Sequence, residues 1–267
     1  MEKVKWLVDS CLMTKDENTR MLQALSDNDV HVSAYRPFVD EVNTHGLTSY
    51  DPVAVYGTIQ FARRTSQFCG NLFIQDDYLV TNYRETIGPI PDSDWLNNGM
   101  FTTWGMLKRT ISSYVSPIFV RPNSGSKIFT GLAIHPVKFL EKANGEMLPW
   151  AEIEPTTLVQ VSVAQKIHSE YRMFIYEGKV ITGSMYGDGK RSSFVDPKAL
   201  EFAQSFAELS TWEIPFVLDV AILKNGSVKA VEINCITCAG WYDADYSKIV
   251  KCINEYTLKA HRELNGD

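Results

Sequence analysis

The chain is poor in cysteine and histidine, with five of each among 267 residues. An odd cysteine count without a secretory context points to reduced thiols rather than a disulfide framework. Cys235 and Cys238 form a CxxC. With no second CxxC and no histidine at zinc spacing, and no helix for a redox motif to open, both read as small packing residues under a loop. Long apolar runs are lacking too. The opening MEKVKWLVDSCLM sets charges among a very short apolar run, so the expectation is neither a signal peptide nor a membrane span, and a cytoplasmic protein is the default. A surplus of positive charge is absent. The formal net charge is −6, with a pI near 5.5, which argues against broad attraction to nucleic acid or anionic membrane; any phosphate must be gripped locally. There are no repeats and no low-complexity stretch.

What is present suffices for a real core, since 45% of the residues are hydrophobic. Lys5–Val8, Val30–Tyr35 and Pro52–Tyr56 read as strands and Glu17–Leu25 as a helix. Their alternation predicts an α/β unit with a parallel sheet over residues 1–88, closed by the breaker Gly88-Pro89-Ile90-Pro91. The turn at Gly57-Thr58-Ile59, followed by Arg63-Arg64, either borders a ligand crevice or carries ordinary exposed helix charges. From Trp95 to Ile111 apolar residues recur at helical spacing, with Asp92 or Ser93 as the cap. Strands are expected over Ser116–Pro122, Leu158–Ile167, Tyr171–Tyr176 and Val180–Tyr186. Asp196-Pro197 opens a helix with Leu200, Ala203, Phe206 and Ala207 inward, and a last helix spans about Tyr246–Glu263.

The most informative stretch is Phe216–Asn234. Two apolar runs flank Lys224-Asn225-Gly226-Ser227, and Asn-Gly is the signature of a two-residue type I′ turn. Counting from that turn, Leu223 faces Val228, Ala221 faces Ala230, and Asp219 faces Glu232, with Asn234 on the same face. Neither face of this hairpin is polar enough to be solvated. Opposed carboxylates in such a sheet repel, and burying them unpaired costs several kcal/mol. A hard divalent cation resolves the conflict, because two carboxylates and an amide oxygen across a roughly 5 Å strand spacing can share one or two Mg²⁺ ions.

Upstream, Arg121-Pro122-Asn123-Ser124-Gly125-Ser126-Lys127 sets two cations around a small loop after a strand. It is not a Walker A loop, since no glycine lies six residues before Lys127 and no Ser or Thr follows it. Glu170-Tyr171-Arg172 adds an acid and a planar guanidinium suited to a carboxylate or phosphoryl group. Taken in order, FVRPNSGSKIFTG (Phe119–Gly131), LVQVSVAQKIHSEYRMFIYEGKVITGSMY (Leu158–Tyr186) and FVLDVAILKNGSVKAVEINCITCAGWYDAD (Phe216–Asp245) resemble the ATP-grasp superfamily. The string is most similar to a clade common in bacteria and their phages, in which arginine precedes the first-strand proline where many relatives carry lysine.

The resemblance covers about residues 90–245. It implies an ATP-grasp fold, α/β and α+β, with two α+β subdomains clamping a nucleotide over residues 89–267 and a small α/β domain before them. It implies that Arg121 and Lys127 contact phosphates, that the strand Gln160-Val161-Ser162-Val163 is the adenine hinge, and that Glu170 serves the ribose or orients Arg172. Arg172 would steady the γ-phosphate or an acyl phosphate. Asp219, Glu232 and Asn234 would hold Mg²⁺, with Mn²⁺ as the substitute ion; these match the hairpin count made without the resemblance. The implied activity is carboxylate–amine ligation driven by ATP, with a small molecule, peptide or protein as acceptor and Trp241, Tyr242, Asp243 and Asp245 near its pocket. An ATP-grasp-type kinase and a nucleotide-binding regulator with little catalysis are the alternatives.

Overall fold

The computed structural model describes residues 3–11, 13–35, 47–48, 51–65, 80–124, 128–138 and 153–266. Three sheets organise them. Strands β1 (Lys5–Asp9), β2 (His31–Tyr35) and β3 (Val53–Tyr56) form a parallel sheet in the order β2-β1-β3, as the β-α-β alternation predicts. Helix α1 (Lys15–Asp27) starts at a capping box in which Thr14 and Glu17 satisfy each other's backbone N–H groups. A short α2 (Ile59–Arg64) follows β3, capped by Thr58. The core here joins Trp6, Leu7, Met21, Leu25, Val55 and Phe61 to the last helix, α6 (Tyr246–Asn265), through Ile249, Ile253 and Tyr256.

The second sheet is antiparallel, in the order β11-β10-β8-β9, from β8 (Ile167–Tyr176), β9 (Lys179–Tyr186), β10 (Phe216–Leu223) and β11 (Val228–Cys235). Helix α5 (Pro197–Leu209), opened by Asp196 and Pro197, covers one face with Ala199, Ala203, Phe206 and Ala207; the expected inward Leu200 is instead exposed, one position off the buried stripe. On the opposite face Phe174 and Val217 pack into the core shared with α6, leaving the part that carries Arg172 and Asp219 for the site.

The third sheet has the order β4-β7-β5-β6, from β4 (Met100–Thr103), β5 (Ile118–Pro122), β6 (Leu132–Ile134) and β7 (Leu158–Val163). Helix α4 (Trp104–Thr110) covers one face, packing Trp104 and Leu107 on Val120, Val159 and Val161. The predicted strand Leu158–Ile167 is thus two strands with a short link at Ala164-Gln165-Lys166 between the two antiparallel sheets. Helix α3 (Val80–Thr86) and the segment after it lie along β11. There Trp95 bridges Ala230, and the Leu96 N–H donates to the Ala230 carbonyl at 2.7 Å, closing a sheet edge that would otherwise be open.

Two expectations fail for local reasons. Trp95–Ile111 is not one helix. Residues 95–96 pair with β11, Met100–Thr103 form β4, and helix begins only at Trp104, where the Thr103 side chain accepts from the Met106 N–H. The break falls at Asn97-Asn98-Gly99, poor helix formers, and a Cβ on Gly99 would stand 1.9 Å from the Val161 carbonyl oxygen. The β10–β11 turn is not type I′ either. Gly226 has φ +84° but Asn225 does not enter the left-handed region, and Leu223 pairs with Ser227 around a three-residue loop. Near the turn Ile222 therefore faces Val228, Ala221 faces Lys229 and Val220 faces Ala230. Val231 is then the extra residue of a bulge, which restores Asp219 opposite Glu232.

Candidate active site

The site lies between the two antiparallel sheets. Because opposed residues share a face, the register puts Glu170 and Arg172 of β8, Ser184 and Tyr186 of β9, Asp219 of β10, and Glu232 and Asn234 of β11 on one side of their sheet. Asp219 is 1% exposed and Arg172 7%. Arg172 answers the buried carboxylate with a fork, Nε to Oδ1 at 2.9 Å and Nη2 to Oδ2 at 2.8 Å, while Nη1 donates to the Gly240 carbonyl at 3.1 Å. Burial opposes the Arg172 charge, and Asp219 more than offsets it, so the guanidinium stays protonated.

Asn234 completes the carboxylate cluster. Its Nδ2 donates to Asp219 Oδ2 at 3.0 Å and to Glu232 Oε1 at 3.2 Å. From the facing sheet, Arg121 on β5 crosses the cleft and sets Nη2 3.0 Å from Glu232 Oε2. Among the described residues no three His, Cys, Asp or Glu side chains converge on one point; the set here is two carboxylates with one amide. Those donors suit Mg²⁺, a hard cation that keeps water and phosphate oxygens in its octahedron. The fit requires the Asn234 amide to turn, because its nitrogen now faces the acids.

Around this cluster the aromatic rings carry charge. The Arg172 guanidinium lies 4.8 Å from the centroid of the Tyr242 ring and 5.1 Å from that of Tyr186, and those rings stack on each other at 5.1 Å. Tyr242 holds a left-handed φ of +50°, a strained value for a tyrosine. Arg191 lies 4.8 Å from the Tyr242 centroid and pairs with Glu17 of α1 at 2.7 Å. Glu170 is pushed up to about 7, chiefly by burial and then by the charges of Asp219, Glu232 and Asp188, with Arg172 opposing. It lines a cavity of about 580 Å³ together with Tyr186, Asp188, Lys190 and Lys198.

Not every residue anticipated from sequence meets here. Arg121, Arg172, Asp219, Glu232 and Asn234 are brought together, with Glu170 beside them. Lys127 lies outside the described residues. Gln160 and Ser162 are buried on the cleft side of β7, opposite Arg121 and Phe119, and among the described residues Gln160 Oε1 and Ser162 Oγ have no hydrogen-bond partner. The β4 ladder reaches Val161 and stops, so Gln160 and Val161 have a strand on each side, whereas Ser162 and Val163 pair with β5 alone. Trp241 is core, against Trp6, Tyr56 and Tyr246; Asp243 pairs with Arg20, and Asp245 caps α6. Of that group only Tyr242 reaches the site. Arg191, Glu17 and Tyr186 were missed. Counting back from Glu177-Gly178 places Tyr186 opposite Glu170, whereas nothing local marks the other two.

A family model for the ATP-grasp domain, family 2 of its clade, matches residues 100–252, more than half of the chain, so the chain belongs to the ATP-grasp superfamily and to that family within it. No curated protein sequence matches significantly. The chain is similar to solved ATP-grasp structures at low identity. D-cycloserine synthetase DcsG aligns with TM-score 0.60 at 12% identity, over 95% of this chain and 99% of that one. The ADP complex of purK, N5-carboxyaminoimidazole ribonucleotide synthetase, aligns with TM-score 0.59 at 9% identity over 95% and 77%. D-alanyl-alanine synthetase A from Vibrio cholerae O1 biovar eltor aligns with TM-score 0.54 at 13% identity over 100% of both chains. The likeness in shape establishes the ATP-grasp fold, with its antiparallel sheets facing across a cleft.

Proposed function

We propose that the protein is an ATP-dependent ligase that joins a carboxylate to an amine through an acyl phosphate, with Mg²⁺ as the metal. The observation that carries the proposal is the meeting, across one cleft, of Arg121 from one sheet with Arg172, Asp219, Glu232 and Asn234 from the other. Such a set binds a polyphosphate and its cation and offers no side chain that must become covalently attached, so positioning and charge stabilisation supply the catalysis. The D-cycloserine and D-alanyl-alanine synthetases that share the fold are synthetases by name, which supports the same reaction class.

In this scheme Arg121 and Lys127 hold phosphates, and β7 at Gln160–Val163 receives the adenine, with Ser162 and Val163 the better placed because the β4 ladder has ended. Glu170 faces the ribose. Arg172, fixed by Asp219 and Gly240, presents its charge to the transferring phosphoryl group. Asp219, Glu232 and Asn234 would hold Mg²⁺, which when bound neutralises phosphate charge. The same proposal takes residues 1–88 as a preceding domain and 89–267 as the ATP-grasp domain, and places the protein in the cytoplasm. Among the described residues no helix is long and apolar enough to cross a membrane.

The test is interception of the acyl phosphate. Incubation with Mg-ATP, pooled amino acids and peptides as carboxylates, and hydroxylamine should give a hydroxamate together with phosphate, and Glu232→Gln should abolish both. A phosphorylated product stable to hydroxylamine, or nucleotide binding without phosphate release across a broad library, would overturn the ligase assignment.

A further inference from the structure

The carboxylates proposed to hold the cation already have cationic partners. Asp219 is gripped by Arg172, and Glu232 by Arg121, so two guanidinium charges balance two carboxylate charges before any cation arrives. Asn234 adds a third obstacle, since it presents N–H donors to both acids. A divalent ion entering this arrangement would meet two positive groups and an amide turned the wrong way.

The two arginines are not held equally. Arg172 is fixed by both oxygens of Asp219, by the Gly240 carbonyl and by two tyrosine rings, all anchored in or just beyond the same sheet. Arg121 reaches from β5 to Glu232, which belongs to the opposite sheet. Breaking the Arg121 pair without replacement would leave Glu232, 20% exposed at the side chain, short of its counter-charge. A nucleotide supplies what is needed for an exchange. Its phosphates offer Arg121 another anion, which frees Glu232 for the cation travelling with the nucleotide.

We infer that Arg121 is a latch on the cation site: it neutralises Glu232 across the cleft and excludes a free divalent ion until a nucleotide draws the guanidinium away. The latch rests on the nucleotide-site assignment above and concerns the order in which metal and nucleotide enter. Arg121 would thus serve twice, closing the empty cleft and then gripping phosphate.

The test follows free Mn²⁺ by its electron paramagnetic resonance signal as the full-length protein is added, with and without ADP. The wild type should take up Mn²⁺ only when ADP is present. Arg121→Met should bind Mn²⁺ without ADP at least tenfold more tightly than the wild type, and Arg121→Met/Glu232→Gln should lose that gain. Arg121→Lys, which keeps the charge, should stay within threefold of the wild type. Wild-type binding of Mn²⁺ without ADP, at the affinity of Arg121→Met or of the ADP-loaded protein, overturns the latch; that arm decides the matter even if Arg121→Met fails to fold. A folded Arg121→Met that gains no Mn²⁺ overturns it as well. If Arg121→Met gains Mn²⁺ but ADP binds to neither protein, the latch stands as a guard on the metal and the nucleotide-site assignment falls.

Discussion

Arg172 and Asp219 stand directly opposite each other on β8 and β10 and join through two parallel hydrogen bonds of 2.9 and 2.8 Å. A fork of this kind at the centre of a buried sheet fixes the plane of both groups. It thereby fixes where the guanidinium can meet a ligand and where the free carboxylate edge points.

Removing one member of this pair leaves an uncompensated charge in a dry site. Arg172→Met should cost about 3–5 kcal/mol of stability, and Arg172→Met/Asp219→Leu should recover much of it by removing both charges. Urea unfolding of the single and double variants checks this. A double variant no more stable than the single one would contradict it.

Glu170 gives a pH signature. Its folded-state value of about 7 lies above the ordinary 4.5, so the folded protein binds the proton more tightly, and stability is lost as pH rises from about 4.5 through 7. Glu170→Gln removes that loss. After allowance for solvent screening at this partly exposed group, the variant should gain on the order of 1 kcal/mol over the wild type at pH 8, and much less at pH 5. Melting temperatures of both proteins at the two pH values make the comparison; an equal gap at both would refute the assignment.

Two glycine substitutions should differ sharply. In Gly99→Ala the new Cβ meets the Val161 carbonyl oxygen at 1.9 Å, so β7 must move, at about 3 kcal/mol or more. Gly226→Ala places a Cβ in open space and is burdened only by φ +84°, at about 1 kcal/mol. Thermal unfolding of each variant should reproduce this order.

Nucleotide binding should appear as stabilisation. Mg-ADP at a hundredfold excess over Kd should add about 2.7 kcal/mol to the unfolding free energy. No change in melting temperature with any Mg-nucleotide up to millimolar concentration would remove the nucleotide site.

The Asp219–Glu232 pairing was legible from the sequence, although by a miscount that corrected itself. The turn is one residue longer than Asn225-Gly226 suggests, and the bulge at Val231 takes up that residue, so the acids still oppose each other. Between turn and bulge the counted pairs were wrong, and Ala221 faces Lys229. In Trp95–Ile111 the apolar spacing suits a helix throughout. What defeats it is the contact of Gly99 with β7, made by residues about sixty positions away.

By itself the sequence determined the residue types and the local periods: the parallel N-terminal strands, α5 and α6 with their caps, and a hairpin bearing two acids and an amide on one face. These follow from patterns that repeat within a few residues, where neighbours in sequence are neighbours in space. Only the tertiary structure decided who meets whom. Arg121 reaches Glu232 because two separate sheets face each other. Arg191 reaches Glu17 because the loop after β9 lies against the first turn of α1. Tyr242 stacks on Tyr186 because a backbone with positive φ aims its ring into the site. Contacts of this kind depend on register and on the packing of distant elements, which no local period records.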